Sequence, residues 1–107
     1  RHLRSLRHAL ESQQASMLAS AARHFPADTR VTRPAGGYFL WFEFAPQVDA
    51  LLLFKQALAE GISLAPGPLF SASRDFGHCA RLNYGHPWNA ASETAMQVLG
   101  RLLAACR

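Results

Sequence analysis

The chain has 107 residues, half of them apolar, 10% aromatic and 17% charged, with seven glycines and six prolines. That composition excludes a disordered, collagen-like or low-complexity chain and fits one folded domain, too short for a complete two-domain cofactor enzyme. Eleven basic residues against seven acidic give a net charge of +4, and ten of the eleven are arginine, with Lys55 the one lysine. Charge alone is compatible with nucleic acid, an anionic substrate or simple solubility.

No apolar run approaches the ~18 residues of a membrane span, and no basic-apolar-small signal pattern opens the chain. The two cysteines, Cys79 and Cys106, are too few and too far apart for a zinc knuckle or a disulfide scaffold. The expectation is a soluble, cytoplasmic protein with no membrane attachment.

Residues 1–25 carry Leu3, Leu6, Leu10, Met17, Ala21 and Phe25 at three- and four-residue steps, with Gln14 in the one gap and neither Gly nor Pro. This spacing predicts an amphipathic helix. Arg1, Arg4 and Arg7 crowd its positive dipole end and no Ser, Thr, Asp or Asn precedes Leu3, so the helix is expected to begin upstream and the chain to be a piece of something larger.

A short strand follows at 29–33, a turn at 34–37, and an aromatic strand from Tyr38 to Phe44. Tyr38, Leu40, Phe42 and Phe44 fall on one face and Phe39, Trp41 and Glu43 on the other, which predicts a central strand covered on both sides. Asp49 caps a helix carrying Leu52, Leu53, Phe54, Ala57 and Leu58, and Gly61 stops it. After a short strand at 62–65, the stretch 66–78 has no clear periodicity, and a loop of that length is functional or mobile as a rule. Cys79 to Tyr84 alternates as a strand, with Ala80, Leu82 and Tyr84 on one face and Cys79, Arg81 and Asn83 on the other. Asn89 caps a last helix with a buried stripe of Ala95, Val98, Leu99, Leu102 and Cys106, and with Arg101 and Arg107 near its C-terminus. The order is αββαββα, an α+β domain with a small mixed or antiparallel sheet backed by helices, spanning residues 1–107 without repeat or linker.

Arg81 is the most informative position. A guanidinium on a strand, flanked by Ala80 and Leu82 and sharing its face with Asn83, can hold a planar carboxylate through two parallel hydrogen bonds. The alternative is a structural ion pair with Glu43, which the residue types alone slightly favour because buried arginine is generally paired for folding reasons. Pro66, Gly67 and Phe70 end a strand, a place where ligands gather in sheets with parallel strands. Gly36 and Gly37 suit close backbone approach or merely a tight turn. His78, Cys79 and His86 lack the further donors a tetrahedral metal needs, and Ser71 and Ser73 lack a nucleophile-elbow context. The residues give no catalytic group and no metal site.

Three segments together, PAGGYFLW at 34–41, GISLAPGPLF at 61–70 and CARLNYG at 79–85, resemble the C-terminal small domain of fold-type I pyridoxal-phosphate-dependent aminotransferases. Within that superfamily the wording is most similar to the aminotransferase-like domain of MocR-type regulators of the GntR family. The resemblance covers nearly the whole chain and implies the small-domain fold of that superfamily. It places Arg81 where the family binds the α-carboxylate of an amino-acid substrate or effector. Gly36, Gly37, Pro66, Gly67, Phe70 and Asn83 fall near the active-site edge.

The Schiff-base lysine and the groups that hold the cofactor belong to a large domain not contained in these residues, and Lys55 sits in a different motif. The resemblance therefore implies pyridoxal 5'-phosphate, a large domain, an amino-acid or amine ligand and a homodimer for the full-length protein, with DNA bound only through an N-terminal winged helix-turn-helix. For the 107 residues alone it implies no cofactor and no catalysis. The alternative is the small domain of an aminotransferase that moves an amino group between an amino acid and a 2-oxo acid.

Overall fold

Alternation along the aromatic strand decides where the core lies. In the computed structural model, which describes residues 2–34, 37–71 and 75–106, Leu40 and Phe42 are completely buried while Phe39, Trp41 and Glu43 are partly exposed. The elements are α1 (His2–His24), β1 (Arg30–Thr32), β2 (Phe39–Glu43), α2 (Ala50–Ala59), β3 (Ala65–Pro66), a 3-10 helix (Gly67–Phe70), β4 (Cys79–Asn83) and α3 (Ala90–Ala105). The strands make one four-stranded sheet in the order β1-β2-β4-β3, with every neighbouring pair antiparallel. The α+β class and the order of helices and strands agree with expectation. Because no pair is parallel, the rule that ligands gather at strand ends in parallel sheets does not apply here.

All three helices pack on one face of the sheet. Met17 and Phe25 from α1 and its end, Leu53 from α2, and Met96, Leu99 and Leu103 from α3 close over Leu40, Phe42, Ala80 and Leu82. Phe25 sets its ring edge against Phe42 at 5.4 Å between centroids, the geometry aromatic pairs prefer. The other face of β2 is not covered by a helix, contrary to expectation. What reaches it is the segment after β3, through Phe70 and Phe76 packed on Trp41.

The helix boundaries follow local chemistry. Asp49 accepts the backbone N–H groups of Leu51 and Leu52 at 3.0 and 3.2 Å, and Asn89 and Ser92 form a reciprocal capping box at the start of α3. The buried stripes differ from those predicted. In α1, Leu3 and Leu6 are exposed and burial begins in earnest at Met17. Gln14 fills its gap by donating to the Tyr84 hydroxyl at 3.0 Å, and Gln13 donates to the Tyr84 carbonyl at 2.8 Å. In α2, Leu53 and Ala57 are buried while Leu52 and Leu58 are exposed. In α3 Val98 and Leu99 are buried as predicted, and the stripe takes in Met96, Gly100 and Leu103, with Leu102 and Cys106 at its margin. Tyr38, expected on the core face, stands exposed just before β2.

Glu93 fastens α1 to α3. The buried hydroxyl of Ser20 donates to Oε1, Arg23 pairs with the same oxygen at 2.6 Å, and the Trp88 indole N–H donates to Oε2 at 3.2 Å. The Ser20 hydrogen bond above all, then those of Arg23 and Trp88, hold the Glu93 carboxyl down at about 2, against an ordinary 4.5. A carboxyl depressed on folding stabilises fully above its ordinary value and loses that contribution as pH falls toward its folded value. Denaturant unfolding measured across pH should show stability declining between about 4.5 and 2, and Glu93→Gln should remove that part of the slope. An identical acid profile in the variant would assign the decline to other carboxylates.

Candidate functional site

The face of the sheet turned away from α1, α2 and α3 is where the chemistry of this chain gathers. In the antiparallel register Arg81 lies opposite Trp41 on one side and Ala65 on the other, Asn83 opposite Phe39, and Cys79 opposite Glu43. Directly opposed residues share a face, so Phe39, Trp41, Glu43, Cys79, Arg81 and Asn83 all project away from the helices.

Arg81 extends diagonally toward Phe39. Its guanidinium carbon is 4.4 Å from the centroid of the Phe39 ring and 4.7 Å from that of Phe70. Among the described residues no carboxylate lies within ion-pair distance of it. The structural pair with Glu43 is not made. Glu43 faces the His78 ring instead, with Oε2 3.2 Å from Nε2. The reason is geometric: Phe39 and Glu43 are the two diagonal neighbours of Arg81 on β2, and the side chain takes the aromatic one.

The remaining residues expected at the edge divide. Phe70 joins Arg81 directly, from the end of the 3-10 helix. Gly67 is buried with its α-carbon turned to the carbonyls of Phe76 and Cys79, which seats that helix against the strand end. Pro66 pairs with Ala80 and is buried toward the core, away from the guanidinium. Asn83 is exposed on the Arg81 face, but its Oδ1 is engaged by the Gly85 N–H at 2.6 Å. Gly37 has φ of +76° and stands beside the Phe39 ring, where a β-carbon would come within 2.6 Å of Cε1. Gly36 lies outside the described residues.

The sequence singles out Arg81 and Phe70 but not the rings that complete the cluster. Trp41 contacts Phe70 at 5.8 Å and Phe76 at 5.4 Å between centroids, both edge to face. Period-two alternation puts Phe39 and Trp41 on one face; that this is also the face of Arg81 depends on the register between β2 and β4, which one strand's sequence does not contain. Cys79 takes no part. Burial first, and the nearby Glu43 charge second, push its thiol pKa up, so it stays protonated. His78 is spent on Glu43, and His86 lies in the segment between β4 and α3.

Comparison with known proteins places this arrangement. No protein-family model matches the chain. It is 34% identical over 102 residues to the uncharacterised HTH-type transcriptional regulator YdcR of Escherichia coli, covering 95% of this chain and 22% of that one. It is 32% identical over 101 residues to a 2-aminoadipate transaminase of Thermus thermophilus, covering 94% and 25%. The chain thus spans about a quarter or less of the length of the curated relatives it matches. Among solved structures, the T. thermophilus α-aminoadipate aminotransferase complexed with N-(5'-phosphopyridoxyl)-L-leucine superposes with a TM-score of 0.81 at 31% identity, over 94% of this chain and 26% of that one. A kynurenine aminotransferase of Pyrococcus horikoshii gives 0.85 over 97% of this chain and 26% of that one, at 23% identity, a likeness of fold. Over nearly its whole length the chain is similar in sequence and in fold to a segment found in HTH-type transcriptional regulators and in aminotransferases alike.

Proposed function

We propose that these 107 residues are one domain of a larger protein, the effector-sensing, aminotransferase-like domain of a MocR-type regulator of the GntR family, and that Arg81 binds the carboxylate of an amino-acid ligand. The observation that carries this reading is a guanidinium on the sheet face turned away from the three α-helices, over two aromatic rings and with no carboxylate of the described residues beside it. Among the described residues no ion pair takes its N–H groups, and a carboxylate can take two of them at once. The surrounding rings lower the local dielectric and strengthen that attraction. The arginine orients the ligand and chooses carboxylates over plain amines.

Pyridoxal phosphate, which the aminotransferase relatives imply for whole proteins of this kind, would have to be held by other residues. A site of that sort needs a lysine near the carboxylate clamp. The one lysine here, Lys55, is exposed in the middle of α2, on the helical side of the sheet. The chain does not by itself compose a cofactor site, and no step through the cofactor is assigned to it. In the whole protein this reading gives a large domain that closes on the Arg81 face, a homodimer, and DNA contact through a winged helix-turn-helix upstream. Closure over a bound ligand would bias a two-state arrangement and so reposition the DNA-binding domains. Among the described residues no helix is long and apolar enough to cross a membrane.

The 32% identity to a transaminase over 94% of the chain favours a second reading, the small domain of an aminotransferase. What precedes Arg1 in the gene separates the two: a winged helix-turn-helix ahead of the large domain supports the regulator, and its absence supports the enzyme. The carboxylate role is tested by titrating the intact protein with α-amino acids and their decarboxylated amines, before and after Arg81→Ala. A preference for the acid that survives the substitution defeats it.

A further inference from the structure

We infer that Phe70 is the positioning residue of this site: its ring, with that of Phe39, fixes the plane of the Arg81 guanidinium so that the N–H edge points out of the sheet toward an incoming carboxylate. The inference rests on the reading of Arg81 as a carboxylate clamp and adds what aims it.

An arginine side chain is long and loses substantial rotamer freedom when held still. Where a buried acid holds it, the acid also consumes the fork. At Arg81 the described residues offer no such acid, and the contacts that restrain it are ring faces at 4.4 and 4.7 Å. A guanidinium that lies flat against a ring keeps its in-plane donors free. Such a clamp holds the ion without occupying its fork.

Phe70 has little other work. It is 43% exposed and lies outside the buried core cluster. Among the described residues its ring contacts are Arg81 and Trp41, and Trp41 is braced in turn by Phe76. The position of Phe70 is set by the close approach of Gly67 to the carbonyls of Phe76 and Cys79, which lays the 3-10 helix against the strand end. On the other side, Gly37 leaves the space that the Phe39 ring occupies, since a β-carbon there would meet Cε1 at 2.6 Å. Both glycines therefore bear on the site through the two rings.

The test uses the intact protein that carries this chain. The twenty common α-amino acids are titrated calorimetrically, the best-bound one is paired with its decarboxylated amine, and the ratio of the two Kd values is the carboxylate preference. Phe70→Leu keeps an apolar side chain at a half-exposed position but removes the ring face. It should lower the preference about five- to tenfold, the size of a partly desolvated cation–ring contact, through weaker binding of the acid alone. Phe70→Tyr, which restores a ring, should return the preference to within about twofold. If Arg81→Ala abolishes the preference while Phe70→Leu leaves it unchanged, Arg81 is the clamp and Phe70 does not aim it. Equal weakening of acid and amine by Phe70→Leu would make Phe70 a wall of the pocket and also overturns the inference. If the wild-type protein binds no amino acid in preference to its amine, or keeps the preference in Arg81→Ala, the carboxylate reading falls and this inference falls with it.

Discussion

Arg81→Ala in the intact protein should weaken binding of its amino-acid ligand about 30- to 300-fold and leave the matching amine within about twofold. A hydrogen bond to a charged group contributes about 1.5–3 kcal/mol net, and two parallel ones on a carboxylate share some of that, so a loss of about 2–3.5 kcal/mol is expected. At 1.4 kcal/mol per tenfold, this gives the stated range. Arg81→Lys keeps the charge but replaces the planar fork by a point donor, and should recover part of the loss, about tenfold short of the parent. Stability should change little. The structure gives Arg81 no acid partner among the described residues to leave stranded, and what is lost is ring stacking at a partly exposed position, worth about 1 kcal/mol or less. Binding calorimetry and thermal melts of the same variant separate the two effects. Unchanged affinity with a markedly lower Tm would make Arg81 a structural residue.

Gly100→Ala is expected to destabilise, although helix propensity argues the reverse. In the interior of an exposed helix the change would contribute about 1 kcal/mol of stability. Gly100 is buried where α3 crosses the end of α1, and a β-carbon there would lie 2.2 Å from the His24 carbonyl oxygen and 2.9 Å from its carbon. These are backbone atoms, so no side-chain rotation relieves the overlap and the helices must separate. Separation disturbs Leu99 and Leu103 in the core and the Ser20 and Arg23 hydrogen bonds to Glu93. Overpacking of this kind costs about 1–3 kcal/mol or more, so the net loss should be about 2 kcal/mol. For a domain of this size that lowers Tm by about 8–15 °C. A melt at or above the parent temperature would show that the α1–α3 crossing relaxes freely and that propensity wins.

The two predictions differ in how far the sequence supports them. Arg81 stands out from its own strand, as a guanidinium at an alternating position between apolar neighbours. Gly100 carries only a faint signal, a glycine inside a helix of good helix formers. What makes it matter is the identity of the atoms facing it, and these come from residue 24 in another helix.

The same division runs through the fold. Caps and strand alternation are legible because each depends on residues within one turn or one strand: Asp49 and Asn89 cap as their types prescribe, and Leu40 and Phe42 are buried as their period requires. Stripe positions are less legible. Leu3 and Leu6 have the right spacing but are exposed, and in α3 Met96 and Leu103 join the predicted Val98 and Leu99 in the buried stripe. Spacing specifies a helical face, whereas neighbours specify which part of that face is buried.

By itself, then, the sequence determined the αββαββα order, the caps, the alternation of β2 and the place of Arg81 on a strand between apolar neighbours, all of which follow from short-range stereochemistry and residue type. Only the tertiary structure decided that every helix lies on one side of an antiparallel sheet, that the other side holds an aromatic cluster, and that Arg81 rests on Phe39 and Phe70 while Glu43 turns to His78. The physical reason is register. Which residue of β2 stands opposite Arg81 is set by the packing of both strands against a shared core, and no property of either strand alone contains it.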